Sequence, residues 1–317
     1  MTPFHAPPLR ILAPPPVHHL LPHVCGPHHP RSASLDPTPL TLQLLPHEPQ
    51  PHPDDTLHTR EDHLDVHRGP RGLLVRTPFG CLRLDGATLQ LGPSLTRHDT
   101  PLPLRSPVLR MGLALAASLR GLHALHAALV LHPTLGTILL PGGSGAGKTT
   151  STLALLHDGA RLLTDELCFL LPRNDDPTRL VGWPAPLHLD PPTADLLHAW
   201  GHPVPQQPRR QAWNPEPTFP LHREPCPPPT RVLLPSVNLD SPTRSLPLPR
   251  PLGLAETLYA APMLPLLHPE ERARAQQDIA TLLRKSTFQR IALGHDLRDN
   301  PSSLPHAIAR LDRDPPA

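Results

Sequence analysis

The segment Gly142-Gly143-Ser144-Gly145-Ala146-Gly147-Lys148-Thr149-Thr150 carries residue types at a spacing that could do chemistry. It fits G-x-x-x-x-G-K-[ST], a pattern that cradles phosphate. Glycines let the backbone curl so that successive N–H groups point inward at phosphate oxygens. The lysine reaches the β and γ phosphates, and the Thr149 hydroxyl can ligate Mg²⁺. Lysine occurs elsewhere only at Lys285, so its place at the end of this glycine run is not a product of lysine abundance. The segment therefore predicts nucleotide phosphate binding, with the backbone of 142–150 and the Lys148 ammonium as the contacts.

A second cluster lies downstream. Asp165 and Glu166 follow the apolar run Arg161-Leu162-Leu163-Thr164, which places two acids at the carboxyl end of a strand. Ligands bind at that edge in open α/β sheets. Acids there hold Mg²⁺ or accept a proton from an attacking hydroxyl. His126 precedes the run Ala127 to Leu131. On the residues alone it is background, because the chain holds 23 histidines.

The elements that must position these groups are legible around them. Thr137 to Leu140 reads as a strand, and Thr149 to His157 as a helix whose N-terminus faces the anion. That helix ends at Asp158-Gly159, where Gly159 is a natural left-handed cap. Ala127 to Leu131 and Arg161 to Thr164 read as further strands. Strand, loop, helix, strand is the order of a crossover in an α/β domain. Cys168 to Leu171 and Leu180 to Gly182 predict a hairpin across Asn174-Asp175-Asp176-Pro177. Ser106-Pro107 reads as a helix start, with the helix running from Val108 to Leu122. Upstream, Gly72 to Arg76, Cys81 to Leu84 and Ala87 to Leu91 predict a small sheet. Downstream, helices are expected at Ala194 to Trp200, Glu270 to Lys285 and Pro305 to Leu311, with strands at Arg231 to Leu234 and Phe288 to Leu293.

Three separated pieces agree in spacing with one family. His126-Ala127-Ala128-Leu129-Val130, then Gly142 to Thr149, then Gly159 to Glu166 resemble the C-terminal catalytic domain of HPr kinase/phosphorylase and its kinase-like relatives. The similarity covers roughly residues 105 to 190. It implies a fold related to ATP-dependent phosphoenolpyruvate carboxykinases and a transfer of phosphate from ATP, with Mg²⁺, to a hydroxyl. The acceptor would be a protein, a peptide or a small metabolite. The resemblance implies that Lys148 contacts the transferring phosphate and Thr149 ligates the metal. It places Glu166 at the proton-acceptor position, Asp165 beside it as its acidic partner, and His126 at the active-site histidine. It also implies a homo-oligomer. The chain departs from the family at four places, one of them a substrate-reading C-terminal loop that is not evident here. Glu166 stands for an aspartate, and Gly143 for the usual aspartate after the first loop glycine. The downstream metal-binding glutamate has no counterpart except Asp190.

Composition bounds the rest. The chain has 317 residues, 51 prolines and 3% aromatics. Prolines are sparse from Val108 to Leu171, which predicts a packed α/β core. The expected organisation is a proline-rich, weakly ordered arm over 1–70 and a small, mostly β region over 71–104. A phosphate-loop domain would fill 105–317, with a proline-rich insertion near 201–230. A net charge of +2 gives no electrostatic case for nucleic acid or an acidic membrane. No apolar stretch is long enough to span a bilayer. Prolines break the apolar residues of Met1 to Leu21, so no signal peptide is read there. Four dispersed cysteines fit reduced thiols and a cytoplasmic location. The histidines around Cys25 read as compositional bias rather than a metal site. Arg209-Arg210 reads as a solvated basic loop.

Two readings of activity remain open on the sequence. One is a phosphotransferase. The other is a nucleotide-binding regulator without turnover, favoured by the missing downstream glutamate and the proline-rich flanks. A transport or motor ATPase is disfavoured, because no Leu-Ser-Gly-Gly-Gln signature occurs.

Overall fold

The computed structural model describes residues 2–6, 9–14, 21, 39–61, 64–70, 72–95, 102–171, 179–183, 186–204 and 211–313. The protein is mixed α/β with several sheets, and it divides into two compact units. The first takes residues 1–124 and 263–275, the second 125–262 and 276–317.

The first unit is built on strands β1 (Thr2–Ala6), β2 (Leu9–Ala13), β3 (Leu40–Leu44), β4 (Thr56–Glu61), β5 (Leu64–Gly69), β6 (Gly72–Thr77), β7 (Gly80–Asp85) and β8 (Thr88–Leu91). They form one eight-stranded sheet in the order β1-β2-β3-β8-β7-β6-β5-β4. The β6–β7 hairpin closes with Thr77 opposite Gly80, as the local pattern predicts. Helix α1 (Leu102–Ser118) packs on β7 and β8. It approaches closely at Gly112, where a Cβ would meet Leu82 Cδ2 at 2.6 Å.

Two expectations change here. The stretch before residue 70 is not a weakly ordered arm where it is described, because β3, β4 and β5 lie within the sheet. The first unit also extends past 104, since α1 covers two of its strands. In addition, α1 starts earlier than Ser106-Pro107, so that Pro107 lies inside it. It stops at Ser118 because Gly121 turns left-handed at φ 80 and Leu122 N–H bonds back to Ala117 O at 3.0 Å.

The second unit carries the sequence-singled residues. Its strands begin after β9 (His123–Leu125) with β10 (Ala127–His132), β11 (Gly136–Pro141), β12 (Arg161–Thr164), β13 (Cys168–Leu171), β14 (Arg179–Gly182), β15 (Leu187–Leu189), β16 (Gln211–Trp213), β17 (Arg231–Val237), β18 (Arg244–Pro247) and β19 (Thr287–Leu293). Its helices are α2 (Lys148–His157), α3 (Pro191–Ala199), α4 (Arg250–Tyr259) and α6 (Ser303–Arg313). Helix α5 (Pro269–Leu282) begins in the first unit and ends in the second.

The main sheet runs β12-β10-β11-β17-β19-β18. β10 is antiparallel to both β11 and β12, while β11, β17 and β19 are parallel. It follows that β11, β12, β17 and β19 all end, and β10 begins, at one edge. Pro235 lies inside β17, a central strand, where proline removes a ladder donor. The β11 pairing to β17 is recorded only at Arg231 and Val232, so that donor is not needed further along. Helix α2 covers β10, β11 and β12 with Leu153, Ala154 and Leu155 fully buried.

The proline-rich insertion is used as edging. Leu162 of β12 gives its N–H to Pro220 O at 3.0 Å and accepts from His222 N at 2.7 Å. Leu180 of β14 exchanges bonds with Cys226 at 3.0 and 2.8 Å. Irregular chain thereby satisfies strand edges that would otherwise stay open. The Asn174–Pro177 turn, the histidines around Cys25 and Arg209-Arg210 lie outside the described residues. Among the described residues no helix is long and apolar enough to cross a membrane.

Candidate functional site

The loop after β11 keeps its glycines where other residues would be strained. Gly142, Gly145 and Gly147 have φ of 153, 78 and 94. Gly147 is the N-cap of α2 and supplies no side chain to the first turn, which also holds no acid. The free amides and the positive end of the helix dipole are thus left for an anion. Lys148, 8% exposed, folds its ammonium back onto Gly142 O at 2.7 Å and Gly143 O at 2.8 Å.

The acid pair is pinned by its own strand end. Thr164 Oγ1 donates to Trp183 O at 2.9 Å and accepts from the backbone N–H of Glu166 and Leu167 at 3.3 and 3.4 Å. Trp183 N–H bonds Leu167 O at 2.8 Å, and its ring packs on Phe169. Gly182 lies directly against the Leu163 backbone, with no room for a Cβ. These contacts hold Asp165 and Glu166 at the exit of β12.

Loop and acids meet. Thr149 Oγ1 donates to Asp165 Oδ2 at 2.7 Å. Asp165 Oδ1 is buried and has no hydrogen-bond partner among the described residues. Burial pushes this carboxyl up to about 6, against the Thr149 hydrogen bond and the Lys148 charge, which pull it down.

One cavity of about 780 Å³ collects the site. His126, Ser144, Gly145, Gly147, Lys148, Thr149, Thr150, Asp165 and Glu166 all line it. Gly142, Gly143 and Ala146 do not. The first two instead present their carbonyls to Lys148 from behind. His126 is placed by its backbone N–H, which bonds Ala260 O at 2.8 Å just before β10. Asp190 also lines the cavity, but its carboxylate is the N-cap of α3, accepting from Thr193 N at 3.0 Å.

Other lining residues carry no local signal in the sequence. Val237 at the end of β17, Leu239 just after it, and His295 and Arg298 after β19 reach the cavity only because distant strands end at the same edge, while Asp195 reaches it from α3.

A hydroxyl, a carboxylate with an orphaned buried oxygen and a second carboxylate form a hard-oxygen donor set. Among the described residues no three His, Cys, Asp or Glu side chains cluster as a metal cage. Mg²⁺ asks for less than a cage: one or two carboxylates, with phosphate and water oxygens completing its shell. The residues therefore fit a magnesium–triphosphate. No protein-family model matches this chain, and no curated protein matches it.

Proposed function

We propose that the protein is an ATP- and Mg²⁺-dependent phosphotransferase that moves the γ-phosphate to a hydroxyl of a protein, a peptide or a small metabolite. The observation that carries this reading is the hydrogen bond joining Thr149 to Asp165 inside one cavity with Lys148 and Glu166. It brings the groups expected at the phosphate and the groups expected at the proton to one place. The resemblance to kinase-like relatives of HPr kinase/phosphorylase supports the same assignment.

In this reading the amides of 143–149 take the phosphate oxygens. The Lys148 ammonium exchanges its two loop carbonyls for the transferring phosphate. Thr149 and Asp165 hold the metal, which supplies neutralisation of phosphate charge when bound. The acceptor oxygen forms a bond to the γ phosphorus as the bond to the β-bridging oxygen breaks, and the leaving diphosphate keeps that electron pair. Glu166 accepts the proton of the acceptor hydroxyl. His126, lining the same cavity, aligns by the resemblance with the family's active-site histidine. Positioning and charge neutralisation supply most of the rate in such transfers.

The test compares wild type with Lys148→Ala, using γ-labelled ATP, magnesium, and co-purifying proteins or candidate metabolites as acceptors. Label transfer is expected in wild type and lost in the variant. Equal transfer by both removes the assignment.

A second reading, a nucleotide-binding regulator without turnover, has one observation in its favour. Asp190, the nearest carboxylate to the family's missing glutamate, is already engaged as a helix cap. ATP binding without transfer, unchanged in Glu166→Gln, would select this reading over the first.

A further inference from the structure

The cavity is larger than a triphosphate tail needs, and its two ends differ in character. This inference rests on the nucleotide reading above and asks where the rest of the nucleotide goes. Along the sheet edge the order is the acid pair after β12, the loop after β11, Val237 and Leu239 at and just past the end of β17, then Leu293 to Arg298 from the last residue of β19 onward. The bond between Thr149 and Asp165 sets the reacting phosphate toward β12. The nucleoside must leave the loop the other way, over the ends of β17 and β19. Two strand steps cover about 10 Å, the reach of a nucleoside beyond its phosphates.

That end of the cavity carries an aliphatic group beside His295 and Arg298. A Cβ at Gly147 would meet Leu293 Cδ1 at 2.6 Å and Val237 Cγ2 at 3.4 Å, so aliphatic side chains begin directly against the last loop glycine. Val237 is 54% exposed and Leu239 65% exposed, and both line the cavity together with Leu293 and Leu297. A single exposed leucine needs no explanation. Exposed Val237 and Leu239, backed by the buried Leu293 and Leu297 and continuous with a phosphate cradle, make an apolar platform at the place where a nucleoside must lie.

The platform is also built rather than loose. Trp200 Nε1 donates to Leu297 O at 3.0 Å and Arg298 O at 3.1 Å. Thr243 gives its N–H and its hydroxyl to Asp296 Oδ1, both at 2.7 Å, and its Oγ1 accepts from Gly294 N at 2.9 Å. At the rim stand Asp195 and Arg298, an acceptor and a donor. Neither side chain has a hydrogen-bond or ion-pair partner among the described residues. An adenine edge offers a donor and an acceptor to such a pair.

We propose that Val237, Leu239, Leu293 and Leu297 form the slot for the purine base of the bound nucleotide, with Asp195 and Arg298 reading its polar edge. A bicyclic ring spans the roughly 5 Å between the two strand exits, which a single-ring base covers less well.

The test uses the full chain, calorimetry with magnesium, and three probes: ATP, UTP and inorganic tripolyphosphate. The variant is Val237→Ser/Leu239→Ser, neutral and at exposed positions. Wild type is expected to bind ATP more tightly than UTP. The double variant is expected to lose about tenfold in ATP affinity while holding tripolyphosphate as wild type does. Unchanged ATP affinity in a variant that still binds tripolyphosphate overturns the slot and leaves the phosphate loop intact. Wild type that binds neither tripolyphosphate nor ATP overturns the nucleotide reading itself, and the slot with it.

Discussion

Thr149 Oγ1 and Asp165 Oδ2 lie 2.7 Å apart and join the start of α2 to the end of β12. This contact has a thermodynamic consequence for the ligand-free protein. Burial raises Asp165 to about 6. An acid whose folded value stands above its unfolded value, about 3.9, opposes folding once ionised. The cost is absent below about pH 4, grows toward about 6 and is complete above that. Asp165→Asn is therefore expected to stabilise the ligand-free protein at pH 8 by up to about 3 kcal/mol, and to leave stability at pH 4 nearly unchanged. Urea midpoints at the two pH values check this. Equal effects at both would mean that the carboxyl is not held against its charge.

Lys148 makes a different prediction. Its ammonium closes on Gly142 O and Gly143 O, so the loop is partly organised before any anion arrives. Charge-assisted hydrogen bonds contribute about 1.5–3 kcal/mol each. Lys148→Met should loosen the loop, seen as faster hydrogen exchange at the amides of 142–147, and should weaken tripolyphosphate binding by at least about tenfold. Lys148→Arg should not restore either property. A planar guanidinium does not replace a compact ammonium in contact with two carbonyls. Wild-type behaviour in the arginine variant would contradict this account of the contact.

The loop and its acids were legible because their signals are local. Glycine punctuation, a strand-length apolar run and a following acid pair each occupy fewer than a dozen residues. The bounds of β11, β12 and α2 fall within a residue or two of the pattern for the same reason. β3, β4 and β5 were obscured by Pro46, Pro49, Pro51 and Pro53 between β3 and β4, which read as loop although the segments on either side lie in one sheet. α4 follows Pro249, with Pro251 in its first turn, a start signal hidden in a proline-dense stretch. Val237, Leu239, His295 and Arg298 could not be assigned to the site at all. Their place depends on β17 and β19 running parallel beside β11, a long-range pairing that no local pattern encodes.

The C-terminal turn of α2 carries a pH-dependent contact. His157 Nδ1 and His202 Nε2 share a hydrogen bond of 2.9 Å, and the His202 ring packs on Phe219 in a tilted contact, 4.7 Å between centroids. Burial, and then the neighbouring His157 charge, hold His202 below its ordinary value. A histidine depressed in the folded state favours folding while neutral. Its contribution is whole above about pH 6.5 and fades as the pH falls below that. His202→Phe keeps a ring against Phe219 and removes the titration. The variant is expected to lose less thermal stability than wild type between pH 7 and about pH 5. Parallel melting curves for the two proteins across that range would refute the assignment of this pH dependence to His202.

The last prediction separates backbone strain from crowding in the phosphate loop. Gly145 and Gly147 both have positive φ, at 78 and 94. An added Cβ at Gly145 meets nothing within 4 Å, whereas at Gly147 it meets Leu293 Cδ1 at 2.6 Å. Gly145→Ala should therefore cost only the left-handed backbone penalty, about 1–2 kcal/mol. Gly147→Ala adds overpacking against β19, for a total of roughly 2–5 kcal/mol. The Leu293→Ala background tells the two apart. Removing the leucine side chain should recover the crowding part of the Gly147→Ala cost and none of the Gly145→Ala cost. A double-mutant cycle from urea denaturation measures this directly, because coupling is expected only between residues in contact. Zero coupling between 147 and 293, or equal coupling of both glycines to 293, would show that the loop does not rest on β19 as described. It would also remove the platform on which the purine slot depends.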